Sequence, residues 1–193
     1  MPRALVVFAH PVAESLNAAA HEIVLETLAA RGWDVDDCDL YAEGFDPVLS
    51  GDERRGYHAV ETNTAPVQAY VDRLRAADAF ILSHPVWNFG YPAILKGWFD
   101  RVMLPGVAFQ LTDGKLSPCL DNIRKMASVT TYGASQWRAF LAGDPPKKLF
   151  KRAVWGTVRP EKMRYIAQYD MNNITRSGCE AFLARVRQEM EAF

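Results

Sequence analysis

Five short strand-forming runs, each followed by a longer helical or loop segment, constrain the fold of this 193-residue chain most strongly. The first run, 4–9, is continuously apolar with two adjacent valines, as in a strand covered on both faces. The expected strands are 4–9, 34–40, 79–83, 126–131 and 163–169, and the expected helices are 15–30, 66–77, 93–103, 147–154 and 175–193. This alternation predicts a parallel sheet with helices on both faces, because each right-handed crossover returns its helix to the sheet.

The expected fold class is α/β, with five parallel strands in the doubly wound order 2-1-3-4-5. Residues 34–40 are polar enough to predict an edge strand, and 41–63 is expected to be a long loop with one short helix. A second long loop is expected between the fourth strand and the helix at 147–154. The length predicts one domain over 1–193.

The charge balance excludes some functions. With 22 basic and 23 acidic residues, the chain lacks the basic excess that phosphate-backbone binding requires, so we expect no nucleic-acid partner. No apolar run reaches the length of a membrane helix, and the first apolar run is too short for a signal peptide, so we expect no membrane insertion. Three scattered cysteines suit reduced thiols, which favours a cytoplasmic location.

In an open parallel sheet, ligands bind at the carboxyl ends of the strands near the point where the strand order reverses. The loop after the first strand, 10–17, ends at a helix N-terminus, which attracts anions. Ser15 and Asn17 add a hydroxyl and an amide, and His10 adds an imidazole. The competing interpretation is that Ser15 or Asn17 only caps the helix. The loop lacks both GxGxxG and the GK[ST] of a P-loop.

The loop after the third strand, 84–92, contains two prolines, Gly90 and three aromatic residues. Prolines stiffen a loop, and Gly90 is expected to permit close backbone approach. Aromatic side chains in a rigid loop suit a flat, conjugated ligand, although they also suit a core or subunit contact.

The third loop, 130–135, follows the fourth strand towards the same edge and begins Thr-Thr-Tyr-Gly. Its hydroxyl groups and glycine could bind the carbonyl groups of a ring. Threonine at strand ends is also common for its strand propensity alone.

Together these loops, and above all 92–102 (PAILKGWFDRV) with 9–17 (AHPxxxSLN), resemble the NAD(P)H:quinone oxidoreductase family, flavoproteins with a flavodoxin-like fold. The resemblance covers most of 3–133 and is weaker beyond. It implies bound FAD, with FMN as the alternative, NAD(P)H as co-substrate and a quinone or other small aromatic acceptor. It also implies a homodimer with active sites at the subunit interface.

The resemblance also implies a set of site residues. The flavin phosphates would lie on His10, Ser15, Leu16 and Asn17. The isoalloxazine ring would lie against Pro85, Val86, Trp87, Asn88 and Phe89, with Thr130, Thr131 and Gly133 at its edge. The expected catalytic residues are Tyr132, Phe89 and Asn88.

Two positions depart from the family pattern. Family members often have a tryptophan directly before the loop phenylalanine, whereas this chain has Asn88 there and Trp87 one place earlier. They also often have a Tyr–His pair after the fourth strand, but no histidine follows Ser135. Tyr132, Gln136, Trp137 and Arg138 are the possible substitutes.

The favoured function is hydride transfer from NAD(P)H through the flavin to a quinone-like acceptor, by a ping-pong mechanism. Two alternatives stay open: a flavodoxin-type electron carrier, and a flavin-binding regulatory subunit of a potassium-efflux system docking through basic residues at 147–152. A metal site is not expected, because the sequence has no HExxH motif or Cys/His cluster.

Overall fold

Five parallel strands form the central sheet in a computed structural model, which describes residues 1–112 and 114–193. The strands in chain order are β1 (Arg3–Phe8), β2 (Asp34–Asp39), β3 (Ala79–Val86), β4 (Phe109–Thr112), β5 (Lys115–Pro118), β6 (Lys125–Tyr132) and β7 (Lys162–Gln168). The sheet order β2-β1-β3-β6-β7 confirms the predicted order 2-1-3-4-5, since β4 and β5 form a separate antiparallel hairpin. The predicted edge position of β2 is confirmed too.

The described residues contain eight α-helical segments. They are α1 (Leu16–Ala30), α2 (Gly51–Arg55), α3 (Gln68–Ala76), α4 (Ala93–Val102), α5 (Gln136–Leu141), α6 (Pro145–Lys148), α7 (Trp155–Val158) and α8 (Arg176–Glu191). A π-helical segment, Leu149–Val154, joins α6 to α7. In the described part of the chain, no helix has the length and apolar character needed to cross a membrane.

The core forms one layer on each face of the sheet. On one face, α1 and α8 cover Val6, Ile81 and Val129. On the other, α3 and α4 cover β1, β3 and β6, with the indole of Trp98 stacked against Phe80 at 5.7 Å between ring centroids. Burying one such large apolar side chain contributes roughly 2–3 kcal/mol. The sheet is therefore packed on both faces, which fixes the strand ends from which the loops at its carboxyl edge begin.

The third strand is longer than predicted. It continues to Val86, so Pro85 and Val86 belong to the strand and the loop begins at Trp87. A proline fits here because β1 ends at Phe8, opposite Ser83, so beyond that point β3 pairs with β6 on one side and with no described strand on the other. On the open side the missing N–H of proline breaks no ladder hydrogen bond.

Two regions differ from the sequence-based expectation. The segment expected to be a long loop before the basic helix contains α5, which is capped by the Ser135 hydroxyl. The hairpin β4–β5 was not predicted, because its two strands have only four residues each and lack a buried apolar run. The expected short helix within 41–63 is confirmed as α2.

Candidate functional site

The three loops expected at the ligand-binding edge lie side by side. The backbone N–H of Ala9 donates to the carbonyl of Ser83 at 3.0 Å, which ties the end of β1 to β3. The His10 and Trp87 rings are 5.7 Å apart between centroids, so the first and second loops touch. Pro85 pairs in register with Thr131, which places the third loop beside the second. The structure thus gathers three loops that lie far apart in the sequence.

The first loop presents the N-terminus of α1 to this edge. The Ser15 hydroxyl oxygen accepts the N–H of Ala18 at 3.0 Å, so Ser15 does cap the helix. Its O–H stays available to donate, since a hydroxyl both donates and accepts. The N–H groups of Leu16 and Asn17 have no intrahelical acceptor at this position.

Asn17 differs from a helix cap. Its side chain is 1% exposed, and neither atom of its amide has a hydrogen-bond partner among the described residues. Leaving a buried polar group unpaired costs about 1–3 kcal/mol. A ligand that hydrogen-bonds to Asn17 would recover that cost, so this orphaned amide fits a polar ligand at the helix N-terminus.

His10 has a defined tautomer in this loop. Its Nδ1 accepts the N–H of Val12 at 3.1 Å, so Nε2 carries the proton of the neutral ring. Burial lowers the pKa of His10 below its ordinary value, against the opposing effect of the Val12 hydrogen bond. The ring is therefore neutral at pH 7 and can offer one N–H to an acceptor such as a phosphate oxygen.

The second loop is a tight turn across Trp87 and Gly90, which exchange two backbone hydrogen bonds at 2.9 and 3.2 Å. Asn88 (φ 49°) and Phe89 (φ 56°) are both left-handed, as in a type I′ turn. Asparagine tolerates this region, but phenylalanine costs about 1–2 kcal/mol there. The N–H groups of Asn88 and Phe89 take no part in the paired bonds and lie at the tip of the turn.

Gly90 has no special backbone conformation, and its expected close approach to a ligand stays a prediction. Its φ lies outside the left-handed region, and a Cβ built on it would meet the Trp87 carbonyl at 3.7 Å, an ordinary contact. The close approach was assigned to glycine because glycine is the usual residue for it. Here the special backbone conformation falls on the two residues before it.

The third loop contributes buried hydroxyl groups and an exposed backbone. Thr130 and the neighbouring Ser83 on β3 are fully buried, and neither hydroxyl has a partner among the described residues. Thr131 is nearly buried, whereas Gly133 is exposed beyond the end of β6. This edge therefore combines unsatisfied polar atoms with accessible backbone.

Tyr132, expected among the catalytic residues, points into the protein. It is 1% exposed, and its hydroxyl donates to Asp144 Oδ1 at 2.8 Å and contacts the Tyr165 hydroxyl. Tyr169 donates to the other oxygen of Asp144 at 3.5 Å. Burial, reinforced by Tyr165 and Asp144, raises the pKa of Tyr132, so it remains a protonated donor.

Sequence reasoning missed Asp144 as part of this cluster. Asp144 adopts a left-handed conformation (φ 45°) directly before α6. The two tyrosines that donate to it are Tyr132 on β6 and Tyr169, the residue after β7. No local signal in the sequence joins these positions, so only the folded structure shows that Asp144 anchors the third loop.

His84 stabilises the strand end from which the second loop begins. It is fully buried, its Nδ1–H donates to the Pro85 carbonyl at 2.9 Å, and its Nε2 accepts from Ser128 at 3.3 Å. Burial lowers the pKa of His84 to about 4, although the hydrogen bond to Pro85 acts in the opposite direction. The ring is thus a neutral structural element that fixes the carbonyl preceding Val86.

The residues present fit a flavin. The helix N-terminus, the His10 N–H and the Asn17 amide suit its phosphate. The Trp87–Gly90 turn offers an aromatic wall with two backbone N–H groups that bond no other described residue. In residues 1–112 and 114–193, no group of three or more His, Cys, Asp or Glu side chains is arranged to hold a metal ion.

Comparison with known proteins agrees with this geometry. A family model described as Flavodoxin-like fold matches residues 2–190. The chain is 35% identical over 148 residues to "NAD(P)H dehydrogenase [quinone] 1" of Rattus norvegicus, an alignment that covers 68% of this chain and 54% of that protein. It is 31% identical over 160 residues to "Ribosyldihydronicotinamide dehydrogenase [quinone]" of the same species, covering 74% and 69%. The chain thus spans about half the length of the first of these relatives.

A solved structure gives the same result for the fold. The structure of Smu.1420 from Streptococcus mutans UA159 superimposes with a TM-score of 0.87 at 28% identity, covering 99% of this chain and all of that one. Together with the family match over nearly the whole chain, these similarities identify the family. The chain belongs to the flavodoxin-like fold family that includes the NAD(P)H:quinone oxidoreductases.

Proposed function

We propose that this protein is a flavin-dependent NAD(P)H oxidoreductase that passes hydride from NAD(P)H through bound flavin to a quinone-like acceptor. One observation carries the proposal. An anion-binding helix N-terminus, an aromatic turn and a run of unpaired polar groups, three elements that a flavin requires together, meet at the edge where the strand order reverses. The family of the chain supports the same assignment.

Each element has a distinct role in the proposal. The N–H groups of Leu16 and Asn17, the Ser15 hydroxyl and the His10 N–H would hold the phosphate end. The strand end and turn at 85–89 would support the ring, with Thr130, Thr131 and Gly133 at its edge. These positions are those of the sequence-based set, apart from Tyr132, whose buried hydroxyl suits a positioning role through Asp144.

When bound, the flavin would supply the two-electron redox chemistry that the side chains of this protein lack. The protein would contribute position and electrostatics. The N–H groups of Asn88 and Phe89 are fixed by the paired bonds of their turn, so they can stabilise negative charge without reorganising. His84 and Asp144 would hold the second and third loops in that arrangement.

The finer assignments are part of the proposal. FAD is the expected form, with FMN as the alternative, and a homodimer would complete the site. Donor and acceptor would bind in turn at one place, which predicts parallel lines in double-reciprocal plots. Intersecting lines would show a ternary complex and contradict the ping-pong order.

The direct test is the visible spectrum of the purified protein, followed by mass spectrometry of whatever heat releases. A yellow protein that yields FAD or FMN supports the cofactor, and the mass decides between them. Oxidation of NADH or NADPH with menadione would then establish the reaction. A protein that neither contains nor binds flavin would contradict the proposal. A protein that binds flavin but oxidises neither NADH nor NADPH would favour the alternative of a flavodoxin-type electron carrier.

A further inference from the structure

The indole of Trp87 packs against the first loop. Its ring centroid lies 5.7 Å from that of His10, and the two ring planes are inclined at 60°. This tilted arrangement is a favourable geometry for an aromatic pair. Trp87 is the first residue of the second loop and His10 is the first residue of the first loop. The pair therefore joins the two loops at the point where the strand order reverses.

The orientation of the His10 ring depends on this contact. Its Nδ1 accepts the N–H of Val12 at 3.1 Å, so the proton of the neutral ring lies on Nε2. One hydrogen bond still allows the ring plane to swing about the bonded nitrogen. Trp87 packs against the ring and restricts that swing, so the Nε2–H keeps one direction.

A fixed direction matters because acidic residues lie close to the same ring. His10 also lines a cavity of about 400 Å³ that Trp87 does not border, and its acidic lining residues are Glu22, Asp37 and Asp39. Carboxylates repel an anion and compete with it for an N–H donor. A ring that is free to swing could offer its proton to this cavity instead of to an anion at the N-terminus of α1.

We infer that Trp87 is a positioning residue for the phosphate of the bound flavin and acts through His10. The inference rests on the proposed function, which supplies the flavin. The family resemblance assigns Trp87 to the isoalloxazine ring, whereas the contact of its indole in this structure is with the imidazole expected at the phosphate. Phe89 and the backbone of the turn are left for the ring.

The test compares FMN with riboflavin, which lacks only the phosphate. Both are titrated by fluorescence into the full chain stripped of flavin, at pH 8, where the imidazole of the free protein is neutral. We expect the parent to bind FMN more tightly. In Trp87→Ala the FMN affinity should fall roughly three- to tenfold, as for the loss of one aromatic pair, and the riboflavin affinity should stay within about twofold. Trp87→Phe keeps a ring and should restore most of the preference for FMN.

A double variant separates an effect through His10 from a direct one. His10→Ala removes the N–H donor, so adding Trp87→Ala to it should cost no further FMN affinity. The matched control is Phe89→Ala in the same turn, at a residue exposed to a similar extent, which should weaken FMN and riboflavin equally. Thermal melting checks that each variant is folded. If the alanine variant of Trp87 melts early, Trp87→Leu, which keeps an apolar side chain, takes its place.

Four results would overturn the inference and leave the flavin proposal standing. Equal loss of FMN and riboflavin affinity in Trp87→Ala would assign the indole to the ring. An unchanged preference for FMN in that variant would reduce the contact with His10 to simple packing. Additive losses in the double variant would mean that Trp87 does not act through His10, and a parent that binds both flavins equally would place the phosphate elsewhere. A parent that binds neither flavin would contradict the proposed function and this inference together.

Discussion

At the scale of single residues, the buried side chain of Asn17 gives the sharpest test of the candidate site. Asn17→Ala removes an amide whose atoms have no partner in the described protein. If that amide binds the flavin phosphate, the variant should retain flavin about tenfold less tightly, the equivalent of one hydrogen bond. Fluorescence titration of the stripped protein with flavin would measure this.

The control for Asn17 is Thr27→Val on the same helix. Thr27 is also buried with an unpaired hydroxyl, but it lies nearly three turns further along α1. Its replacement should leave flavin affinity unchanged. Equal affinity in both variants and the parent would remove Asn17 from the site.

Prediction from sequence at this scale succeeds where a local pattern defines the environment. A polar residue such as Asn17, in the first turn of the helix that follows a buried strand, is placed by chain order alone. His84 and Asp144 were not assigned a role in the site, because those roles depend on hydrogen bonds to Ser128 and to the tyrosines at the end of the sheet. Those partners become neighbours only when the strands pair.

At the scale of elements, the Trp87–Gly90 turn can be separated into backbone and side-chain contributions. Asn88→Val places a β-branched residue at φ 49°, which should destabilise the turn by about 1–2 kcal/mol and weaken flavin binding. Asn88→Gly keeps the backbone conformation and should bind flavin like the parent. Flavin titration and thermal melting of both variants test this. A glycine variant that binds as poorly as the valine variant would assign the role to the asparagine side chain instead.

The packing of 41–63 on α4 depends on Gly97. A Cβ at Gly97 would overlap the carbonyl oxygen and the Cβ of Pro47, so this segment must move away in Gly97→Ala. We expect a loss of about 2–3 kcal/mol, or a fall of roughly 4–12 °C in melting temperature.

Gly156 provides the matched control on another helix. It lies in α7 with nothing within 4 Å of its Cβ position, so Gly156→Ala should raise stability by roughly 0.5–1 kcal/mol. An unchanged melting temperature in Gly97→Ala would mean that Pro47 does not pack as described.

A helix or strand was predictable from the sequence when its buried positions show as a regular pattern of apolar residues. Strands covered on both faces, such as β1, carry unbroken apolar runs. The helix α5 was not predicted because its large apolar residues do not mark its buried side. It buries one alanine and exposes Trp137, Phe140 and Leu141. The hairpin β4–β5 exposes both Leu111 and Leu116, so its apolar residues do not mark a core either.

At the scale of the whole molecule, acid should weaken folding through His84. Its folded pKa is about 4, below the ordinary value of 6.5, so the unfolded chain binds the extra proton first. Stability is therefore complete above pH 6.5 and falls as pH drops towards 4, by roughly 2–3 kcal/mol at pH 4.5. Asp36 and Glu53 have lowered pKa values, so their contributions are lost only at still lower pH.

Melting curves from pH 7.5 to 4.5 would measure this loss at constant flavin saturation. His84→Asn removes the titrating group and keeps a donor for the Pro85 carbonyl, so its melting temperature should vary less with pH than that of the parent. A variant with the same pH dependence would place the acid sensitivity elsewhere.

The order of the sheet was the most predictable global property, because right-handed crossovers and strand polarity leave few arrangements for five parallel strands. The site at its carboxyl edge followed from that order. The extension of β3 through Pro85 did not, since it depends on where the neighbouring β1 stops.

The exposed rim of the sheet formed by β2 has a consequence for behaviour at high concentration. Four of its six residues are aspartates, and Arg73 and Arg3 keep the pKa of Asp36 low despite the opposing effect of burial. A second molecule that tried to extend the sheet through its own β2 would set rows of carboxylates against each other. Near neutral pH this rim should therefore resist self-templated, amyloid-like growth.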